Sequence, residues 1–193
     1  AQVVVGALVL LALAKPFAWL VGLASLGVVA IYPFMKRITS WPQSVLGLAF
    51  SWGALMGWAA AFGRLDAPAL LLYAGSILWV IGYDTIYAHQ DREDDAIVGV
   101  RSTALLFGER TPLFLSLFYG SAVAVFAASL WSLGAPPLAY VGLAAFAAHL
   151  VWQVRTLDIA DPDRCLMLFK SNRDAGLVFL AGLMSAAAIR ALL

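Results

Sequence analysis

APALLLYAGSILWVIGYDTIYAHQDREDD, residues 67–95, changes character part-way along. From Ala67 to Tyr83 no side chain is charged, and then five of the chain's 11 acidic residues fall between Tyr83 and Asp95. An uncharged run that nears 20 residues is the length a helix needs to cross the hydrocarbon core of a bilayer. The polar end marks the place where such a helix leaves the lipid.

Outward from this segment the pattern repeats. Of the 193 residues, 63% are apolar and 12% charged, and mean hydropathy is +0.91. Soluble domains are nearer one-half apolar and one-quarter charged, so the composition predicts an all-α membrane protein. Polar punctuation divides the chain into seven predicted helices, about Gln2 to Ala14, Phe17 to Met35, Pro42 to Gly63, Ala67 to Gln90, Thr111 to Trp131, Ala135 to Leu157 and Asn172 to Leu193. Pro16, Pro42, Pro68, Pro112 and Pro136 lie near proposed starts, where a missing amide proton costs least. No repeat or low-complexity linker divides residues 1–193, which reads as one domain.

Basic residues gather in cytoplasmic loops of membrane proteins. In this topology Lys36, Arg37, Arg92, Arg101, Arg110, Arg155, Arg164, Lys170 and Arg173 share one side, against Lys15, Arg64 and Arg190 on the other. The split puts the loops after the second, fourth and sixth helices in the cytoplasm. With 12 basic and 11 acidic residues there is no global field to attract nucleic acid. Cys165, alone of its kind, excludes an internal disulfide.

If the helix of residues 67–95 continues to its end, Asp84, Tyr87, Asp91 and Asp95 follow at spacings of three or four and share one face. Neighbouring carboxylates repel unless a cation neutralises them. Mg²⁺ takes a few carboxylate oxygens, waters and phosphate oxygens, so the stripe is a candidate metal-diphosphate site. A solvated charge run at a helix end is the alternative. Against it, Asp84 lies two turns deeper, where ionisable residues are expensive and usually functional. In YPFMKRITSWPQ, residues 32–43, Tyr32 and Lys36 form an i, i+4 pair and Arg37 adds a charge. A diphosphate leaving group needs cations besides a metal, although the positive-inside bias alone also accounts for this cluster.

These segments carry a resemblance. YPFMKR followed by TSWPQSVLGLAFSWG, then YDTIYAHQDREDD followed by GVRSTALLFG, and CLMLFKSNRDAG near the end resemble, in order, the 4-hydroxybenzoate branch of the UbiA prenyltransferase family. The resemblance implies nine transmembrane helices around a cavity open to lipid, of which this chain supplies about seven. It also implies Mg²⁺ on a polyprenyl diphosphate, with Asp91 and Asp95 matching the second aspartate motif. Tyr32 and Lys36 match a YxxxK element, Arg37 a basic position that assists the diphosphate or the acceptor carboxylate, and Asp84 a recurrent residue of the family; Asp84 and Tyr87, on one face with the motif, are expected to contact substrate. The implied reaction is prenylation of 4-hydroxybenzoate in ubiquinone biosynthesis, catalysed with Lys36 and Arg37. The implied setting is a bacterial cytoplasmic (inner) membrane, the protein multi-pass, with the active site facing the cytoplasm.

The family's first aspartate motif, NDxxDxxxD, has no match. Asn172 is the only Asn and no Asp follows it at the required spacing. The resemblance therefore implies a chain that lacks roughly the first third of the enzyme and is inactive alone. Rival readings are a UbiA relative with another aromatic acceptor and a transporter using the acidic cluster. A CDP-alcohol phosphotransferase would need glycines among the acids, and YDTIYAHQDREDD has none.

Other residues read more plainly. His149, mid-span and far in sequence from Cys, Asp or Glu, reads as a packing histidine, and His89 lies off the stripe. Trp19, Trp41 and Trp131 sit near span ends as interfacial anchors, with Trp52, Trp58 and Trp79 deeper. Gly53 and Gly57 form a GxxxG pair that permits close helix contact. Asp158, Asp161 and Asp163 read as loop solvation, and Ser102 and Thr103 as helix caps or phosphate contacts.

Overall fold

A computed structural model of the chain describes residues 15–192, with side chains as far as Ile189, together with Gly6 and Ala12. The predicted first segment, Gln2 to Ala14, otherwise lies outside the described residues. Every element within them is helical. The helices are α1 (Pro16–Ile31), α2 (Met35–Ile38), α3 (Pro42–Phe50), α4 (Trp52–Phe62), α5 (Ala67–Ala88), α6 (Arg92–Val98), α7 (Thr103–Phe107), α8 (Thr111–Ser132), α9 (Pro137–Thr156) and α10 (Pro162–Leu192). Five segments among the described residues are long and apolar enough to cross a membrane: Pro16–Ile38, Pro42–Phe62, Ala67–Ala88, Thr103–Ser132 and Pro137–Thr156.

Proline and glycine set several boundaries. Pro lies in the first turn of α1, α3, α5, α8 and α9. Pro33 tightens the chain into a 3₁₀ turn, Tyr32–Phe34, between α1 and α2, because it has no amide proton to give the helical ladder. Gly63 ends α4 at φ 70°, in the left-handed region that favours glycine.

Three boundaries differ from the sequence expectation. The span from residue 42 is interrupted at Ser51, where α3 gives way to α4. The helix of residues 67–95 stops at Ala88; a turn over residues 89–91 intervenes and α6 starts afresh at Arg92. The final helix begins at Pro162, ten residues before the expected Asn172, so the whole of CLMLFKSNRDAG is helical. Charged side chains hid this start, because Asp163, Arg164 and Lys170 lower the hydropathy of the first turns although Cys165 and Leu168 pack fully buried against the end of α9.

Lipid is as apolar as leucine, so close packing and interhelical hydrogen bonds hold such a bundle. α5, α8, α9 and α10 surround an aromatic core containing Tyr119, Phe126, Phe146 and Phe179. Glycines let the helices approach: a Cβ on Gly75 would stand 2.6 Å from the Phe126 ring, and one on Gly142 would stand 2.7 Å from the Gly182 Cα. Gly53 and Gly57 meet nothing within 4 Å at that position among the described residues. The contact their motif permits is made elsewhere. Buried Gln153 accepts from Tyr119 Oη at 2.9 Å and donates to the Leu168 carbonyl at 3.2 Å and Ser171 Oγ at 2.9 Å. His149 Nε2 pairs with the same Ser171 Oγ at 3.1 Å.

Sidedness follows from contacts between connections. Lys36 meets Asp95, Arg101 bonds the Ile38 carbonyl and Gln90 bonds the Pro162 carbonyl, at 3.3, 3.2 and 3.3 Å. Three connections thus converge at one end of the bundle, the basic face. At the other end Lys15 bonds the Ala61 carbonyl and Ser129 that of Pro68.

Candidate active site

Lys36 and Asp95, 59 residues apart in sequence, meet on the basic face. The Lys36 ammonium lies 3.3 and 3.4 Å from the two Asp95 oxygens. The carboxylate side chain is 10% exposed and the ammonium side chain 43%. A carboxylate so far removed from water needs a partner, and Lys36 supplies it.

Local chain geometry brings the pair together. Asp91 occupies the N-cap position of α6, and Glu93, Asp94 and Asp95 fill its first turn. Acidic groups are favoured at a helix N-terminus by the backbone dipole, so part of the carboxylate density belongs to a helix start. Gly99 then turns the chain out of α6 at φ 77°. Past it, the Arg101 amide donates to the Lys36 carbonyl at 2.8 Å and its guanidinium to the Ile38 carbonyl at 3.2 Å. The loop after α6 is clamped to α2 on both sides of Arg37.

The single acidic stripe is corrected by the break at residues 89–91. Asp84 and Tyr87 lie on α5, whereas Asp91 caps α6 and Asp95 lies one turn into it. Asp91 is exposed, Asp95 buried and Asp84 half-buried. Tyr87 stacks at a tilt on Phe169 of α10, ring centroids 4.6 Å apart. Tyr32 is half-buried in the 3₁₀ turn and Arg37 is exposed, with no ion pair to it among the described residues.

The positioning roles of Gln43, Thr85 and His89 escaped the sequence reading, whereas Ser102 is the helix cap it expected. Gln43, buried at the start of α3, accepts from the Thr103 amide at 3.1 Å, and the Thr103 hydroxyl meets that of Thr85 at 2.7 Å. These contacts fix α7, with Ser102 capping it through the Leu105 amide at 3.3 Å. A buried polar residue just inside a span was the available signal. His89 is buried beside Arg92, and desolvation first, then that guanidinium, pushes it down to about 4. Thr111 Oγ donates to the Gly108 carbonyl at 2.7 Å and so accepts from His89 Nε2 at 3.0 Å. The imidazole is therefore a neutral brace between α5 and α8.

An apolar cavity of about 340 Å³ lies between α3, α4, α5, α8 and α10, and a second of about 330 Å³ continues toward the basic face. Both are lined by Phe50, Trp79 and Tyr83. Lys170, Asn172 and Arg173 contribute polar atoms to the second. Trp79 donates to Asn172 Oδ1 at 2.8 Å and thereby joins α5 to α10 along the wall.

A metal has partial support from these residues. Among the described residues no group of three or more His, Cys, Asp and Glu side chains converges to hold one. Asp91 and Asp95 lie one turn apart, but Asp91 is exposed while both oxygens of buried Asp95 meet the Lys36 ammonium, so the two carboxylates do not converge on one point here; Mg²⁺ can bind through a single carboxylate and complete its shell with water and phosphate.

The profile of the UbiA prenyltransferase family matches residues 1–188. This chain belongs to that family. Over 165 residues the UbiA chain is 46% identical to the mitochondrial 4-hydroxybenzoate polyprenyltransferase of Drosophila melanogaster, a match covering 85% of this chain and 42% of the relative. With the mitochondrial enzyme of the same name from Bos taurus it shares 48% over 163 residues, 84% of this chain and 44% of that one. The chain spans less than half the length of these relatives. Its fold resembles that of a UbiA homologue from Aeropyrum pernix K1 in its apo form, with TM-score 0.74 and 26% identity over 90% of this chain and 66% of the other. A structure of digeranylgeranylglyceryl phosphate synthase shares the fold at TM-score 0.71 and 15% identity, over 89% of this chain and 61% of that one.

The relatives overturn one expectation. They are mitochondrial enzymes of eukaryotes, so the expected bacterial inner membrane has no support, while the multi-pass architecture stands. Charge asymmetry distinguishes the two faces of a bundle; it carries no information about which membrane holds it.

Proposed function

We propose that this UbiA chain serves the transfer of a polyprenyl group from a polyprenyl diphosphate to the ring of 4-hydroxybenzoate in ubiquinone biosynthesis, with Mg²⁺ as cofactor. The observation that carries the reading is the Lys36–Asp95 pair, an ammonium and a protected carboxylate side by side on the face where an apolar cavity ends at Tyr83. The names of the relatives supply the acceptor and the donor class.

Bound at Asp91 and Asp95, Mg²⁺ would neutralise the diphosphate and improve it as a leaving group. Asp95 holds the Lys36 ammonium in place before the donor arrives. The contacts of 3.3 and 3.4 Å are long for a charge-assisted bond, so the ammonium keeps donors free for phosphate oxygens. Lys36 then meets the charge that develops as the carbon–oxygen bond breaks. Arg37, whose neighbours Lys36 and Ile38 are held by Arg101 and which has no ion pair among the described residues, would meet the diphosphate or the acceptor's carboxylate. The allylic cation must be kept from water, and the Phe50, Trp79 and Tyr83 walls do this. A tail as apolar as lipid enters such a cavity from the side without crossing water. Tyr32, Asp84 and Tyr87 remain in this proposal as substrate-contacting residues near the ends of their helices.

The assay is full-length protein in membranes with 4-hydroxybenzoate, a polyprenyl diphosphate and Mg²⁺. The expected product is 3-polyprenyl-4-hydroxybenzoate, and Asp91→Ala and Asp95→Ala each abolish it. Undiminished turnover by both variants rejects the site.

A further inference from the structure

On the side of the α8–α9 pair that faces away from the bundle centre runs a groove of about 420 Å³, separate from the cavities beside α5. Tyr119 and Leu150 form its buried floor, Gly120, Val123 and Ala147 its walls, and Arg155 stands at one end. From Ala147 to Arg155 the groove follows α9 for eight residues, about 12 Å at the helical rise. Neighbouring residues on the outer surface, Leu117 and Val151, are 57% and 48% exposed, as expected for side chains that meet lipid.

Antiparallel α8 and α9 bring Ser116 and Arg155 to the same end of the groove, near the basic face, and leave Val123 and Ala147 at the other. Ser116 spends its hydroxyl on the Pro112 carbonyl at 2.8 Å. Arg155, in the last turn of α9 at the basic face, is exposed and makes no hydrogen bond or ion pair with the described residues. An unpaired guanidinium above a hydrocarbon-walled slot complements a molecule with an anionic head and an apolar tail. Basic pockets between transmembrane helices bind anionic lipid head groups in this way, and guanidinium suits phosphate geometry.

We propose that the outer groove between α8 and α9 binds an anionic phospholipid of the surrounding bilayer, its acyl chain along Gly120 and Ala147 and its phosphate on Arg155. The site rests on the membrane placement of the bundle and not on the proposed prenyl transfer, so either can fail alone. Because the groove joins α8 to α9 on their outer side, its occupant also braces the wall behind Tyr119.

The test uses full-length protein in detergent, exchanged against vesicles of equal parts phosphatidylcholine and phosphatidylglycerol and repurified, with the retained phospholipids counted by mass spectrometry. Phosphatidylglycerol should be enriched about fivefold, the ratio one basic side chain is worth at an anionic lipid surface. Arg155→Gln should return the ratio to that of the vesicles, and Arg155→Lys should preserve most of the enrichment. Gly120→Leu, at a position with open space around a Cβ, should fill the slot and release lipid of either head group. Thermal unfolding of each variant reports whether its fold is intact, and the Arg155 pair decides the matter if Gly120→Leu unfolds. An unchanged ratio in Arg155→Gln overturns the proposal. So does Arg155-dependent displacement of the lipid by added polyprenyl diphosphate, or by a second copy of the chain.

Discussion

Cys165 lies on the first two turns of α10, fully buried, with its thiol directed at the Asp158 carbonyl 3.4 Å away. Burial, with Asp161 and Asp158 adding repulsion, pushes this thiol up to about 11. The thiolate is the reactive form, so at pH 8 the folded protein should react with maleimide about a hundredfold more slowly than a free cysteine. Mass-spectrometric counting of labelled chains checks this, and complete labelling within minutes would show that the loop before α10 opens. Lys36 is the other residue whose environment makes a quantitative demand. If its ammonium meets developing charge, Lys36→Met should lower kcat by about 10²–10³, and Lys36→Arg should recover part of the loss. A change in KM with kcat untouched would demote Lys36 to ground-state binding. Both residues were visible in sequence. Asp95 and Asp158 were named too, but the direct contacts were not legible, because Asp95 is 59 residues from Lys36 and the turn at residues 89–91 aims it there.

At the scale of elements, helix contacts are decided by glycines that no short motif singled out. Gly142 and Gly182 face each other across α9 and α10 so closely that a Cβ on either would meet the other's backbone. Gly182→Ala should cost about 1–3 kcal/mol by overpacking. Gly53→Ala and Gly57→Ala, with open space around them, should stay within about 0.5 kcal/mol of the parent. Unfolding titrations in detergent micelles measure these differences, and equal losses at all three positions would contradict the packing. The visible GxxxG spacing named a possible contact surface, but spacing within one helix does not say which face the next helix meets. The early start of α10 was obscured for a related reason. Hydropathy finds uniformly apolar runs, and Asp163, Arg164 and Lys170 interrupt residues 162–171 even though Cys165 and Leu168 among them are buried in the core.

Over the whole molecule, convergence of the connections around Lys36, Arg101 and Gln90 makes one end of the bundle a single face. Single cysteines introduced at Glu109 and Asp158, in a full-length Cys165→Ser background, should therefore be labelled by an impermeant reagent from the same side of sealed vesicles. A cysteine at Arg64 should be labelled from the other side. Labelling of Glu109 and Asp158 from opposite sides would break the topology.

Composition and the lengths of the apolar runs were enough, without coordinates, to establish a helical membrane protein, most of its spans and the sorting of its charges, because a bilayer imposes those constraints on each segment separately. The motif residues were legible too, since their types and order are local. Tertiary structure alone decided that residues 83–95 are two helices with a turn between them. It also decided that Asp95 faces Lys36 while Asp91 faces water, that Gln43 and Arg101 hold the loops in place, and that a groove on the outer surface ends at Arg155. Each of these depends on contacts between segments distant in the chain, whose energies exist only once the helices have packed.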